Sequence, residues 1–526
     1  MTSTTEPLFS LPFNRSILVK ADSRHQTSSD AGMLLMRSVM DRTGILECLT
    51  DRLSDPRNPD RVKHPLGALL LQGQLQLIQG WDGLWAEPLR TDPVFGAATS
   101  LQRGDGVVNS DRPMASQSTL SRRLGILGIK ENRAVLEAAL QKLSIEHLRV
   151  RNGGNRLDEV VIDVDAMPIE VHGTQSGSAY NGHYKDTIFL PLFATCAESG
   201  DVLGAQLRPG TQREVTDCAD FIVSHHDAVK KHAAERVRIR MDAGFNSGAL
   251  YTRLENEGIH YLMRLKKNSV LERMAAPYLT HRALETTYHE LRYQAQSWEC
   301  PRRVIPVVRP RPMELFDRFY FLITNLSPTQ STGQELATTY RRRGKAEMHQ
   351  GEIKAVSTWS LSSSPRPKSH YRETPIERPP LSHNDADAAP IRPENIVRLF
   401  LYLLTYQLLH IARELFHAAA PPMEAAPQAD RQVPAPSESR LDESGELVPT
   451  MGASATGEAP APPDPVEAEA PRLHLHSFRL YLLKIGATLA RHGRYAIFSI
   501  AKSAEPMWQR FWDHFQPLRW YVIPDF

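Results

Sequence analysis

The chain has 526 residues, 41% hydrophobic and 23% charged, which suits several globular domains with ample core and excludes a fibrous or wholly disordered protein. Its four cysteines, Cys48, Cys196, Cys218 and Cys300, form no CxxC pair, which argues against a disulfide framework or a zinc module and fits a reducing cytoplasm. The net charge of +2 hides an asymmetry: residues 421–471 carry ten acidic and two basic side chains, a local −8, which leaves +10 on the rest and suits a polyanion partner.

The first residues, MTSTTEPLFSLPFNRS, lack the long apolar run of a signal peptide. Residues 1–150 are expected to be helical, because Ala31 to Met40, Pro65 to Gln79 and Glu131 to Arg149 show helical spacing of apolar residues. Within them, Ser116-Gln-Ser-Thr-Leu-Ser-Arg122-Arg123 places short polar groups at a helix start and two arginines after it. That arrangement suits a recognition helix, with Arg122 and Arg123 on phosphates. A serine cap on a structural helix is the plainer alternative.

From residue 158 the pattern turns to strands. In Glu159-Val-Val-Ile-Asp-Val-Asp165, Val160, Ile162 and Val164 share one face; Val161, Asp163 and Asp165 share the other. Strands follow at Thr187 to Ala197 and Asp201 to Arg208, then a helix over Glu214 to Glu235. Arg236 to Asp242 alternates again, with Val237, Ile239 and Met241 opposite the arginines and Asp242. A helix from Asn246 to Glu257 and a strand from His260 to Lys266 complete an α/β unit. Residues 267–337 interrupt it with candidate strands at His289 to Trp298, Arg303 to Arg309 and Arg318 to Asn325.

Tyr340 to Lys354 reads as a helix. Tyr340, Arg343, Glu347, Gln350 and Lys354 fall at steps of three and four, so they form one polar face of mixed charge. A core-facing stripe would be apolar; a solvated face with ordinary charge pairs is the bland alternative. Leu361 to Pro393 holds seven prolines and is expected to lack a packed structure. Asn395 to Phe416 is an apolar helix; its core, Ile396 to Leu409, is too short to span a bilayer and carries Arg398 and Gln407. Residues 418–471 have eleven prolines and read as an acidic linker, and Arg472 to Trp520 reads as helical.

The spacing Y-x2-R-x3-E-x6-K from Tyr340 to Lys354 resembles the signature around the glutamate of DDE transposases of bacterial insertion sequences, in the group related to hairpin-forming elements. SDAG at Ser29, DPVF at Asp92, SQSTLSR at Ser116, VIDVDAM, HGTQSGSAYNGHY at His172, LGAQLRPG, RMDAGF and FLITNL at Phe321 are similar to the insertion-sequence 1380 family. GWD at Gly80 matches loosely, and Met167 stands where that family has threonine. The resemblance covers most of the chain outside the two proline-rich segments.

The resemblance implies a ribonuclease-H-like core, with the first and fourth strands side by side. It implies a catalytic, metal-binding triad of Asp165, Asp242 and Glu347, with Asp163 as the alternative first acid. Two Mg²⁺ ions would serve it, with Mn²⁺ as a substitute, because hard oxygen ligands suit magnesium. Tyr340, Arg343 and Lys354 would contact DNA near the cut, and Trp298 would stack on an extruded base; a core tryptophan is the other reading. The implied division is 1–150 DNA-binding, 155–266 first part of the core, 267–337 β-rich insertion, 338–360 glutamate helix, 361–393 disordered insertion, 394–417 core-packing helix, 418–471 linker and 472–526 helical end. The implied function is cut-and-paste transposition in the prokaryotic cytoplasm, by a homodimer on double-stranded DNA ends, with no membrane. An inactive DNA-binding derivative and a nuclease without strand transfer are the rivals.

Overall fold

A computed structural model of the chain describes residues 9–520, apart from 12–13, 20–25, 82–85, 102–113, 174, 214, 280–284, 310–317, 357–358, 363–389, 420–472, 493–494 and 517–519. The two proline-rich segments fall almost entirely outside the described residues.

The helical expectation for both chain ends needs one amendment: helices are present, including Leu475–Phe478 and Glu505–Phe515, but strands accompany them. Phe9–Leu11 pairs with Asn14–Val19, and Gln26–Ser28 pairs antiparallel with Ala487–His492 near the C-terminus. Ala487–His492 also pairs with Tyr495–Ile500 in a hairpin. The partners come from opposite ends of the sequence, so no local window reveals the pairing. The Ser29 to Gly32 motif sits at this junction. The Asp30 carboxylate, 1% exposed, accepts from Lys484 Nζ at 2.5 Å and Trp81 Nε1 at 3.3 Å. A Cβ on Gly32 would lie 2.3 Å from Leu483 Cα, so only glycine admits this approach.

The expected helices follow: Met33–Arg42, α1 (Leu66–Ile78), α2 (Gln117–Leu127) and α3 (Lys130–Arg151). Then comes a nine-stranded mixed sheet. Its strands are β1 (Leu157–Ala166), β2 (Leu192–Cys196), β3 (Val202–Gln206), β4 (Ala234–Met241), β5 (His260–Leu265), β6 (Thr287–Tyr288), β7 (Leu291–Tyr293), β8 (Arg302–Arg309) and β9 (Arg318–Thr324). The order is β6-β8-β9-β5-β4-β1-β2-β3, with β7 also on β8. β4 lies parallel to both β1 and β5, and the other pairings are antiparallel. The first and fourth expected strands are therefore neighbours. Thr187 to Ala197 is two strands: Asp186–Phe189 joins a separate small sheet, and β2 follows Pro191. Strands β8 and β9 of the interruption extend the central sheet through β5.

Alternation decides how the sheet is covered. Val160, Ile162 and Val164 join Val237, Ile239 and Met241 in one core with α4 (Cys218–His232) and α5 (Gly248–Asn256). On the opposite face α3, α6 (Gly333–Arg341), α7 (Gly344–Ala355) and α8 (Pro393–Ala419) pack against the sheet or its edges. α8 is long and apolar enough to cross a membrane, but 89% of its most apolar window is buried inside the protein. It serves here as a central core helix. Its Thr405, Gln407 and His410 are fully buried, and each has a polar partner.

Candidate active site

The site lies at the C-terminal ends of β1 and β4. Their parallel register runs Arg240 beside Asp163 and Met241 beside Val164. One step further sets Asp242 beside Asp165, and strands so paired lie about 4.8 Å apart. The register of β4 with β5 likewise sets Arg264 next to Asp242. Asp165, Asp242 and Arg264 thus form a row across three parallel strand ends.

Helix α7 and the corner before it meet this row at Asp165. Arg343 Nη2 donates to Asp165 Oδ2 at 2.6 Å, and Gln350 Nε2 donates to the same oxygen at 2.9 Å. The Asp165 Oδ1 accepts the Ala166 amide at 2.9 Å. Burial pushes the Asp165 carboxyl above its ordinary range; Arg343 pulls it back, and the charge of Asp242 pushes it up again. Asp242 caps the short turn Ala243–Phe245, accepting the Gly244 amide at 2.8 Å. The Tyr340 hydroxyl is raised to about 12 by burial, with Arg343 acting against Asp242.

The expected single helix from Tyr340 to Lys354 is broken. α6 ends at Arg341 and α7 begins at Gly344, so Tyr340 and Arg343 belong to a corner rather than to one continuous face. Glu347 and Lys354 are exposed on α7. Glu347 precedes Gln350 by three residues and so shares its face. Among the described residues, Glu347 makes no hydrogen bond or ion pair with Asp165 or Asp242. Glu352, two turns from the corner, pairs with Arg413 of α8 and fastens α7 to the core.

Three sequence expectations need correction or sharpening. Asp163 is committed to Arg240, which donates to both its oxygens at 2.6 and 2.7 Å. Trp298 takes the core position that was its other reading. Its ring is 8% exposed and packs edge-on against Tyr251 and Tyr293, both with centroids at 5.3 Å. A Cβ on Gly248 would touch Trp298 Cδ1 at 2.9 Å, so the indole is locked into the core against α5. Arg123 is also buried, at 7% exposure, and bonds the Leu69 carbonyl of α1, where Gly73 leaves the room its guanidinium needs. Burial, with the charge of Arg398 beside it, lowers Arg123 to about 10. Arg122, one position away on the helix, is exposed.

Arg264 was missed by the sequence reading. The available signal was a lone charge on the face of β5 opposite Tyr261, Met263 and Leu265. Its guanidinium lies 5.6 Å from the Tyr320 ring centre.

A second polar cluster, His147, Asp201 and His410, lies within 4.8 Å and is fully buried. Its geometry is that of hydrogen bonding. His147 Nδ1 lies 2.6 Å from Asp201 Oδ1, whereas two ligands at ~2.0–2.1 Å around a tetrahedral ion would stand about 3.3 Å apart. Ser199 also donates to Asp201 at 2.6 Å, Gln407 donates at 2.5 Å, and Arg413 donates to His410 Nδ1 at 3.1 Å. Burial alone would raise the Asp201 carboxyl, yet His147 holds it well below the usual range.

The site row is different in kind. It offers adjacent carboxylates and no sulfur, which suits a hard divalent cation whose charge would relieve the Asp165–Asp242 repulsion.

A family model described as transposase DDE domain, group 1, matches residues 9–368. No curated protein matches the chain. Among solved structures, it is similar to the piggyBac transposase in its synaptic complex with hairpin DNA, at 11% identity and a TM-score of 0.34, covering 74% of this chain and 77% of that one.

Proposed function

The chain belongs to the transposase DDE domain group 1 family, and on that premise we propose that it is a transposase whose active centre is Asp165, Asp242 and Glu347. The observation that carries this reading is the register placing Asp165 and Asp242 at neighbouring parallel strand ends, with α7 docked across Asp165. Neighbouring first and fourth strands with acids at their ends support a ribonuclease-H-like arrangement within the mixed sheet. The motif similarities favour the insertion-sequence 1380 family.

Asp165, Asp242 and Glu347 would hold two Mg²⁺ ions, or Mn²⁺ in their place. Such ions activate the attacking oxygen and stabilise the leaving one in phosphodiester cleavage. The chain's own residues orient the DNA. Arg343 is aimed at Asp165 across the cleft, and when DNA enters its guanidinium can turn to a phosphate oxygen. Tyr340, a phenol that burial pushes still further from ionisation, would offer its hydroxyl proton to the DNA backbone as a hydrogen-bond donor. Lys354 lies further along the exposed side of α7 and would hold the backbone beyond the cut.

The substrate would be the terminal inverted repeats of an insertion sequence. The protein would nick them, form 3′-OH ends, pass through a hairpin and join the ends to target DNA as a homodimer in the prokaryotic cytoplasm. The four cysteines, all free, are consistent with that compartment. The proposed division keeps 1–150 for DNA binding, 155–266 and 338–360 for the core, 267–337 as insertion, and 394–417 and 472–526 as packing regions, with 361–393 and 418–471 between.

A second reading, a DNA-binding derivative without activity, is favoured by one observation. Arg343 and Gln350 occupy Asp165, and Glu347 touches neither aspartate. Cleavage of a labelled duplex carrying the element's end, with Mg²⁺, decides between them. The transposase reading expects cutting by the wild type and loss of cutting in Asp165→Ala, Asp242→Ala and Glu347→Ala. Binding without cutting by the wild type would establish the derivative, and cutting without joining would establish a nuclease.

A further inference from the structure

A second basic feature lies away from the active site. Residues 57–64 form a short turn that faces the start of α2, and between them is a cleft of ≈ 640 Å³. Arg57, Arg61, Lys63, His64, Arg90 and Arg122 line it, and no acidic residue does. Two of these cations are already balanced: Arg57 pairs with Asp55 and Arg90 with Glu87, each at 2.6 Å. Arg61 and Lys63 are exposed and make no ion pair among the described residues. Asp60 is the nearest acid in sequence, and it lies outside the lining.

The chemistry of the walls is specific as well as positive. Ser116, at the N-terminal cap of α2, and Thr119 within it line the same cleft, their hydroxyl oxygens 3.1 Å apart, and Arg122 donates to the Thr119 hydroxyl at 3.1 Å. Guanidinium, ammonium and hydroxyl groups gathered in one concavity are the groups that hold sugar-phosphate backbone. Successive helical residues point about 100° apart, which is why Arg122 faces this cleft while Arg123 enters the core.

We propose that this cleft is a second DNA-contacting surface, gripping the phosphate backbone of the duplex through Arg61, Lys63 and Arg122. It rests on the transposase reading and adds to it a site separate from the carboxylate row. The proposed contacts are to phosphates, so its contribution is register and affinity for any duplex.

The test uses the full-length protein and a short labelled duplex of arbitrary sequence, with affinity measured against salt concentration. Removing one cation from a phosphate lowers the slope of log K against log[salt] by about 0.9, so Arg61→Ala/Lys63→Ala should lower it by about 1.8. Arg122→Ala should lower it by about 0.9. Should the double variant lower the melting temperature, Lys63→Gln alone replaces it, with an expected change of about 0.9. Unchanged slopes in a wild type that binds duplex overturn the cleft and leave the transposase reading standing. A wild type that binds no duplex overturns both. Loss of polyglutamate binding with an unchanged duplex slope would make the cleft an acidic-peptide site and also overturn the proposal.

Discussion

Arg240 holds Asp163 from the neighbouring strand with two parallel hydrogen bonds, and the side chains are only 2% and 1% exposed. This pair is one rung in a cross-strand series. Below it Arg238 reaches diagonally to Glu159 at 2.6 Å, and the next position up is the acid–acid pair of Asp165 and Asp242. The series changes character at the site, where no strand supplies a counter-charge to Asp165 and the corner before α7 supplies Arg343 instead.

Asp163 and Asp165 should therefore fail differently. Asp163→Ala leaves Arg240 buried and unpaired, a loss of about 3–5 kcal/mol of stability. Asp165→Ala should keep the fold and lower cleavage on the order of 10³-fold, about 4 kcal/mol in the barrier. Urea denaturation and duplex cleavage measured on both variants check this. A stable Asp163→Ala protein without activity would return the first catalytic acid to Asp163.

Arg343 acts as the counter-ion of Asp165 in the absence of metal. Arg343→Gln should strengthen Mg²⁺ binding by about tenfold, equivalent to about 1.4 kcal/mol, because the cation no longer displaces a guanidinium. Calorimetric titration of Mg²⁺ into the protein without DNA measures it. Weaker binding would show that Arg343 organises the site rather than competing for it.

Trp298→Ala should cost about 3–5 kcal/mol in stability through the cavity it leaves beneath Tyr251 and Tyr293. Affinity for DNA, measured below the melting transition, should be unchanged. Selective loss of hairpin formation in a stable variant would return Trp298 to the DNA.

Stability should fall as pH drops below about 6.5. Burial lowers the pKa of His225, His349 and His410 in the folded protein. Below the unfolded value, the unfolded chain takes up protons that these rings refuse. Each contributes a loss of about 1.4 kcal/mol per pH unit until its folded pKa is reached. Denaturation at pH 7.5 and 5.5 should show a smaller difference in His349→Gln than in the wild type. An equal difference would mean that His349 titrates normally.

Much of the central sheet was legible because alternation is a local signal. Val160, Ile162 and Val164 against Asp163 and Asp165 fix the face of β1 without any partner in view. Which of the two acids was spoken for depended on Arg240, far off in sequence. The break at Arg342–Arg343 was hidden because the flanking residues keep helical spacing; Gly344 was its sole local sign. Arg122 and Arg123 look alike as letters, and Gly73 on another helix separates them. The C-terminal hairpin was misread because its alternation is weak: Ala487, Ala490 and Ala496 leave few large side chains to mark a face.

The junction of Asp30 with Lys484 also bears on synthesis. The two residues are 454 positions apart. At roughly 5–20 residues per second, the Gln26–Ser28 strand waits between about 20 and 90 s for the strand that pairs with it. The Ala31 and Gly32 amides, which donate to the Ile485 and Leu483 carbonyls in the finished protein, lack those partners during this interval. A chain lacking residues 483–489 would leave Gln26–Ser28 and the Ala31 and Gly32 amides without these partners, so a lesion late in the sequence would be felt by an element near its start.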